Sequence, residues 1–339
     1  MAGWKQLGVA LVALLTMLVP GVGRPCMPMP LPTWNLTEQA ERIVVGRVVR
    51  QWRVESTPWD GAPPSETEND RIIREALREL SSRERVDIEV LEVWKGAPAK
   101  TLTVIADPYW NLLGGALERY GKDHRLLLFL ESSDEDWRTT GYLSDRRLEK
   151  TDVPAWRERV MSAVALQAFP PVNEAALVDW NALALLHPAT RWDALDALYS
   201  SVLKGYRSDP RFRAPRPNPL SPVAQRRFAE SFLADPGPPR SVSGMLLALD
   251  GYAHPEVDRV AARLIEEALR YEGEGKDAFY ILWEAQDAMD LMVSRLGASG
   301  PGTERCVTGD KAREATPALT HCVHARWRQL RALLPKPSP

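Results

Sequence analysis

"RVDIEVLEVWKGAPAKTLTV", Arg85 to Val104, alternates like a β-strand and then changes parity. Val86, Ile88 and Val90 fall on one face, with Asp87 and Glu89 on the other. The next apolar positions, Leu91 and Val93, have the opposite parity. The strand ends at Trp94-Lys95-Gly96, and after Ala97-Pro98 a second alternating run carries Leu102 and Val104. A strand that switches the face it buries has to serve two different surroundings.

The flanking sequence is of the same kind. "ERIVVGRVVRQWRVE", residues 41–55, alternates around a central Gly46, which marks a sharp bend or a close approach of another backbone. Residues 56–83 interrupt the strands. Their first half is a proline- and acid-rich loop. Their second half, 65–83, reads as a helix, with a Ser65/Glu68 capping box and an Ile73, Ala76, Leu77, Leu80 stripe to cover the β domain. After a glycine-containing loop, "RLLLFLE", residues 125–131, is a continuous apolar run, typical of a strand buried on both sides. "SSDED" makes a solvated turn, and "WRTTGYLSDRRLEK" supplies one or two more strands. About five strands with bulges and glycine bends predict a small closed or partly open barrel.

From Pro154 the apolar period becomes 3.6: Trp156, Val160, Ala163 and Val164 share a face, as do Val257, Val260, Ala261, Leu264 and Ala268. The predicted fold class is α+β in two domains. A barrel with a helical insertion occupies 24–153 and an all-α domain occupies 154–335. Two segments of the latter look alike. His187-Pro188 with Arg191, and His254-Pro255 with Arg259, each sit between two helices and resemble the turn of HEAT-like helical pairs. Proline suits the first turn of the second helix, and the histidine can donate to carbonyls ending the first. Two copies are fewer than a solenoid shows.

The net charge of −2 gives no pull toward nucleic acid or an anionic membrane. Residues 1–23 have Lys5, an apolar stretch from Leu7 to Val19 and a small-residue end at Gly21-Val22-Gly23. This is a secretory signal cleaved near Gly23, too short for the ~20 apolar residues of a membrane span. The chain is therefore expected in the periplasm or outside the cell. Arg24-Pro25 before Cys26 argue against a lipoprotein signal. In an oxidising compartment Cys306 and Cys322 are expected to form a disulfide, leaving Cys26 over. Asn35-Leu36-Thr37 is a glycosylation sequon by pattern.

With the strands laid out, residues 26–150 resemble the tissue-inhibitor-of-metalloproteinases and netrin-like module in its bacterial secreted form. The resemblance rests on Cys26 soon after the signal, "IVVGRVV" at 43–49, "EVWKG" at 92–96, "TLTV" across a turn, and "YGKDHRLLLFL" at 120–130. It implies an oligonucleotide/oligosaccharide-binding (OB) type barrel. In such a barrel the parity slip at Val90-Leu91 is a bulge that resets the inward residues. Val86, Ile88, Val90, Leu91 and Val93 would all be buried, at ~1.5–3 kcal/mol each. Trp94 would close the barrel end or rim. In animal inhibitors of this kind an N-terminal cysteine chelates the protease zinc. Here Arg24 and Pro25 precede Cys26 and would acylate its amine, and the glycine-rich stretch that carries a partner cysteine in the family has none.

Catalytic patterns are sparse. There is no His-Glu-x-x-His, no Cys-x-x-Cys and no Gly-x-Ser-x-Gly, and "GGALERYGKD" has the wrong spacing for a phosphate loop. Cys306, His321, Cys322 and His324 have the donor chemistry for zinc, but export favours the bridge over a metal. Trp52, Trp59, Trp94, Trp110 and Trp137 are read as core or rim packing more than as a stacking face for bases or sugars.

The expectation is an exported, non-enzymatic protein that binds another protein, with no cofactor, no metal, no nucleic acid and no membrane span. The barrel rim and the concave side of the helices are the candidate surfaces. One alternative is a metalloprotease inhibitor that uses Arg24, Pro25, Cys26 and Met27 as a wedge. Another is a hydrolase or ligand-binding enzyme with clustered carboxylates or histidines between the domains.

Overall fold

The computed structural model describes residues 31–54, 83–106, 124–133, 136–141, 144–208, 218–237, 239, 242–270, 275–299, 302, 305–306 and 317–334. Residues 1–30, which hold the expected signal and Arg24 to Met27, the expected 65–83 helix apart from Arg83, Trp59, Trp110 and the loop before His124 lie outside the described residues. Arg83 itself opens a strand.

A short helix, α1 (Thr33–Gln39), leads into β1 (Arg42–Val54). Then come β2 (Arg83–Lys95), β3 (Thr101–Ala106), β4 (Arg125–Ser132), β5 (Trp137–Thr139) and β6 (Arg146–Leu148). The sheet order is β1-β2-β3-β5-β4, and β4 pairs back onto β1 from Arg42↔Leu130 to Arg47↔Arg125, closing a five-stranded barrel. The β3–β5 pair is parallel and the others are antiparallel. β6 extends the sheet along the first half of β4. This is a mixed α+β structure with a closed five-stranded barrel, as the strand pattern predicted, and the barrel is consistent with the OB-like one that the resemblance implied.

β4 explains why the sheet closes. Leu126 to Leu130 are all at most 1% exposed. Leu126, Leu128 and Leu130 join Val44, Val48, Val86, Ile88, Leu102 and Val104 inside the barrel. Leu127 and Phe129 point outward, into a second cluster with Ile43, Val45, Trp94, Leu36 of α1 and Val153, Trp156 and Val160 of the next helix. An isolated strand of this composition has no solvent face to offer, so the barrel and its helical cover form together.

The parity slip is a bulge. Val45 pairs with Glu92 and Gly46 with Val90, leaving Leu91 as an extra residue in β2. A second step leaves Trp94 extra, and a third leaves Val49 extra in β1. Val86 and Ile88 are fully buried, and Val90 and Val93 pack half-buried against the same interior. Leu91 departs from expectation. The extra residue of a bulge is pushed out of the ladder, and Leu91 is 39% exposed instead of buried. Trp94 closes no rim. Its bulge turns it outward to pack with Ile43 and Val45, and its Nε1 donates to Glu92 at 2.8 Å. Gly46 is the close approach that the sequence implied: a Cβ there would lie 2.3 Å from Ile88 Cγ2 and 2.9 Å from the Glu89 carbonyl oxygen.

The rest is helical: α2 (Val153–Gln167), α3 (Glu174–Ala184), α4 (Pro188–Ser208), α5 (Pro222–Ala234), α6 (Val242–Ala248), α7 (Pro255–Leu269), α8 (Gly275–Leu296) and α9 (Pro317–Arg331). Local chemistry sets the starts. The Asn173 and Ser221 side chains accept from the Ala176 and Ala224 amides, and prolines open α4, α5, α7 and α9. One large apolar core joins α3 through α9. Helix α2 buries its stripe against the barrel instead.

Helix α1 carries the sequon. Leu36 and Thr37 are fully buried there and Asn35 is half-buried.

Two substitutions test the strand geometry. Gly46→Ala is expected to cost about 1–3 kcal/mol by overpacking against Ile88 and the Glu89 carbonyl, whereas Leu91→Ser should stay within about 0.5 kcal/mol of wild type. Urea unfolding followed by far-ultraviolet circular dichroism reads both, and equal losses would contradict the bulge.

Candidate functional site

Helix α2 carries a stripe to the barrel and an arginine to the helices. Arg159 is buried, with its Nε donating to Asp193 Oδ2 of α4 at 2.8 Å and its NH2 to Asn181 Oδ1 of α3 at 2.9 Å. The guanidinium stacks 3.8 Å from the Trp180 ring centroid. From α1, Thr33 Oγ1 donates to the other Asp193 oxygen at 2.6 Å. Trp180 Nε1 donates to Ser162 Oγ, and Trp34 meets the Trp180 ring edge-on at 5.5 Å. Four helices therefore meet on one ion pair. Burial pulls the Arg159 guanidinium below its usual range, while Asp193 opposes this by charge and hydrogen bond. Of the carboxylates near this junction, Asp193 is the one in its centre, and both of its oxygens are engaged.

A second polar centre lies on α8. Glu284, Gln286, Asp287 and Asp290 are all buried there, beside the apolar Leu282, Ala285, Met289 and Met292. Glu284 Oε1 accepts from both the amide and the hydroxyl of Ser243 in α6. Arg305 NH1 lies 2.8 Å from Asp287 Oδ1 and 3.0 Å from Asp290 Oδ2, with its guanidinium over the Trp283 ring. Arg326 of α9 pairs with Asp290 and donates to the Gly302 carbonyl. The Cys306 amide donates to Gln286 Oε1 at 3.0 Å, and Cys306 is bonded to Cys322 of α9. The expected bridge is present.

Two further arginines tie helix ends. Arg191 donates to the Leu185 and Asp235 carbonyls and to Ser231 Oγ. Arg295 pairs with Asp258 and donates to the Leu249 and Tyr252 carbonyls. The two His-Pro segments thus use their arginines differently, since Arg259 is exposed and pairs with Glu256 one turn earlier. The expected donation from histidine also differs. His187 Nδ1 accepts from the Ala189 amide, and His254 makes no side-chain cap.

At the surface, Arg157 of α2 reaches Glu92 in the bulged part of β2 with Nε at 3.0 Å. Burial pushes the Glu92 carboxyl up, but hydrogen bonds from Arg157 and Trp94 and the charges of Arg157 and Arg125 outweigh it and hold the group below its ordinary value. Beyond Arg157, Met161, Ala165 and Phe169 follow at four-residue spacing. Phe169 is 82% exposed and Met161 45%, and Leu183 and Trp192 stand exposed on α3 and α4.

Of the predicted binding residues, Arg24, Pro25, Cys26 and Met27 lie outside the described part. Trp52 stacks with Arg50 and Trp137 with Arg42, both half-buried. Among the described residues no group of three or more His, Cys, Asp and Glu side chains could hold a metal ion, and no helix is long and apolar enough to cross a membrane. The buried polar ridge of α8 and the Arg159 junction were missed from sequence. Apolar periodicity carries no signal for a polar residue whose partner is far away in the chain. No protein-family model, curated protein or solved structure shows a significant match to the chain.

Arg159→Met leaves Asp193 buried without its cation and is expected to cost about 3–5 kcal/mol. The double variant Arg159→Met/Asp193→Leu should recover much of that loss in urea melts, and an additive pair would remove the junction's coupling. The Glu92 tie has a folded value below the unfolded one, so it contributes above the ordinary carboxylate range and is lost as pH falls through the lowered value. Glu92→Gln should therefore shift the urea midpoint at neutral pH and converge on wild type once the pH falls below the lowered Glu92 value. A gap independent of pH would contradict the assignment.

Proposed function

We propose that the chain is an exported, non-enzymatic protein-binding protein, and that its contact surface includes the outward stripe of α2. One observation carries this: Met161 and Ala165 on the outward side of α2 lead to Phe169, two residues past the helix end and 82% exposed, while other faces of the helix are already used by the barrel and the Arg159 junction. An exposed aromatic side chain just past the end of a braced helix is the kind of anchor that interfaces use. The buried charges, by contrast, join elements of the fold: Arg159, Arg191, Arg295 and Arg326 each bond to groups on other segments. The likeness of the helical pairs to HEAT-type scaffolds fits a binding role, although Arg191 and Arg259 do different work.

Replacing Phe169 with a photo-reactive benzoyl-phenylalanine in the exporting host is expected to give a discrete cross-linked adduct. The same probe at the exposed Glu230 of α5 should give none. Adducts at neither position, or equally at both, would defeat this surface.

The barrel topology favours a second reading, a metalloprotease inhibitor of the kind the netrin-like resemblance implies. The topology is the OB-like one, and Arg24 to Met27 would form the wedge. In that case the secreted protein inhibits a zinc endopeptidase, and removing residues 24–28 abolishes the inhibition while the protein stays folded.

A further inference from the structure

Two cations that pair with the buried Asp287 and Asp290 flank the two ends of the disulfide. Arg305 immediately precedes Cys306, and Arg326 lies one helical turn after Cys322. The Cys306 amide is also the partner of Gln286 Oε1. Three of the four buried polar residues of α8 are thus met from one side by groups that the bridge holds together. Helix α9 is the last described element, and it rests mainly on α8 through Leu319, Val323, Trp327 and Leu330. A helix can open locally at a free energy set by its own attachments.

We propose that the Cys306–Cys322 bridge is a redox-operated clasp for α9: the oxidised chain holds the helix and its arginines against α8, and the reduced chain lets this unit open while the barrel stays closed. The bridge spans a sequence separation of 16. Closing a loop of that size removes chain entropy equivalent to a factor of about 100 in the local opening equilibrium. Without it, Arg305 keeps its ion pairs, its contact with the Trp283 ring and the neighbouring Cys306–Gln286 bond, but no covalent tie to α9. The chemistry is thiol–disulfide exchange with a dithiol reductant. Cys322 is exposed and Cys306 is buried, so the reductant's thiolate attacks Cys322 Sγ. The Cys306–Cys322 bond breaks, and Cys306 leaves as a thiolate and takes up a proton. The second thiol of the reductant then displaces Cys322, which is also protonated. Two cysteine thiols form and the reductant ends as a cyclic disulfide.

Hydrogen exchange read by mass spectrometry tests the clasp on the full protein in three forms: oxidised, reduced with dithiothreitol, and Cys306→Ser/Cys322→Ser. Reduction is verified by iodoacetamide labelling of both cysteines. The expected result is exchange about 100-fold faster in α9 and in the facing part of α8 in both bridge-free forms, unchanged exchange in β1 to β4, and full recovery on reoxidation. Unchanged α9 exchange after verified reduction would overturn the proposal. So would faster exchange spread equally over the barrel, because the bridge would then be a staple of the whole fold. If the double variant fails to fold, the reduced wild-type protein decides between these outcomes.

Discussion

Five consecutive large apolar residues in β4, Leu126 to Leu130, impose a constraint that few other arrangements satisfy. Each inward leucine needs an interior and each outward side chain needs a lid. The interior requires a sheet closed upon itself, which β1 supplies by pairing with β2 along one edge and β4 along the other. The lid requires helices on the outer face, which α1 and α2 supply with Leu36, Val153, Trp156 and Val160. Burying each of those β4 side chains is worth roughly 1.5–3 kcal/mol. Barrel and lid share this buried cluster, and α2 is the bracket from which the helical part extends.

Arginine does the joining beyond the barrel. Arg159, Arg191, Arg295 and Arg326 each direct several donors to carboxylates or carbonyls on other segments. The planar guanidinium suits this work because one side chain can satisfy acceptors lying in different directions. Such braces define how the helices meet more than they add net stability, since each buried ion carries its own desolvation cost.

Much of the β region was legible in the sequence because its signals are local. The parity slip located the bulge, the "RLLLFL" run located the doubly buried strand, and Gly46 announced a close backbone approach. The error at Leu91 followed from treating every apolar residue of the slipping strand as buried. A bulge frees one residue from the ladder, and here that residue faces water. Helix α1 gave no periodic signal in seven residues. Asp258, Glu284, Asp287 and Asp290 look like solvent-facing positions on amphipathic helices, and only their distant partners draw them inside. The two His-Pro segments look equivalent because the turn chemistry is local, but the arginine placement that distinguishes them depends on α5 and α8. The proposed contact surface was the least legible, since exposure of Met161 and of Phe169 just past α2 depends on which faces of that helix the barrel and α4 have already taken.

The pairing of β1 with both β2 and β4 has a kinetic side. Residues 42–47 must find residues 125–130 before the barrel exists, and a contact so far apart in sequence is expensive to form because the loop entropy is spent before any burial repays it. The earliest strand made is therefore among the last to be satisfied. Until β4 arrives, Val44 and Val48 have no closed interior, and Ile43 and Val45 wait for a lid that itself needs Phe129. That long-range meeting raises the contact order, which slows folding, and a chain interrupted before it presents two adhesive faces on a single strand.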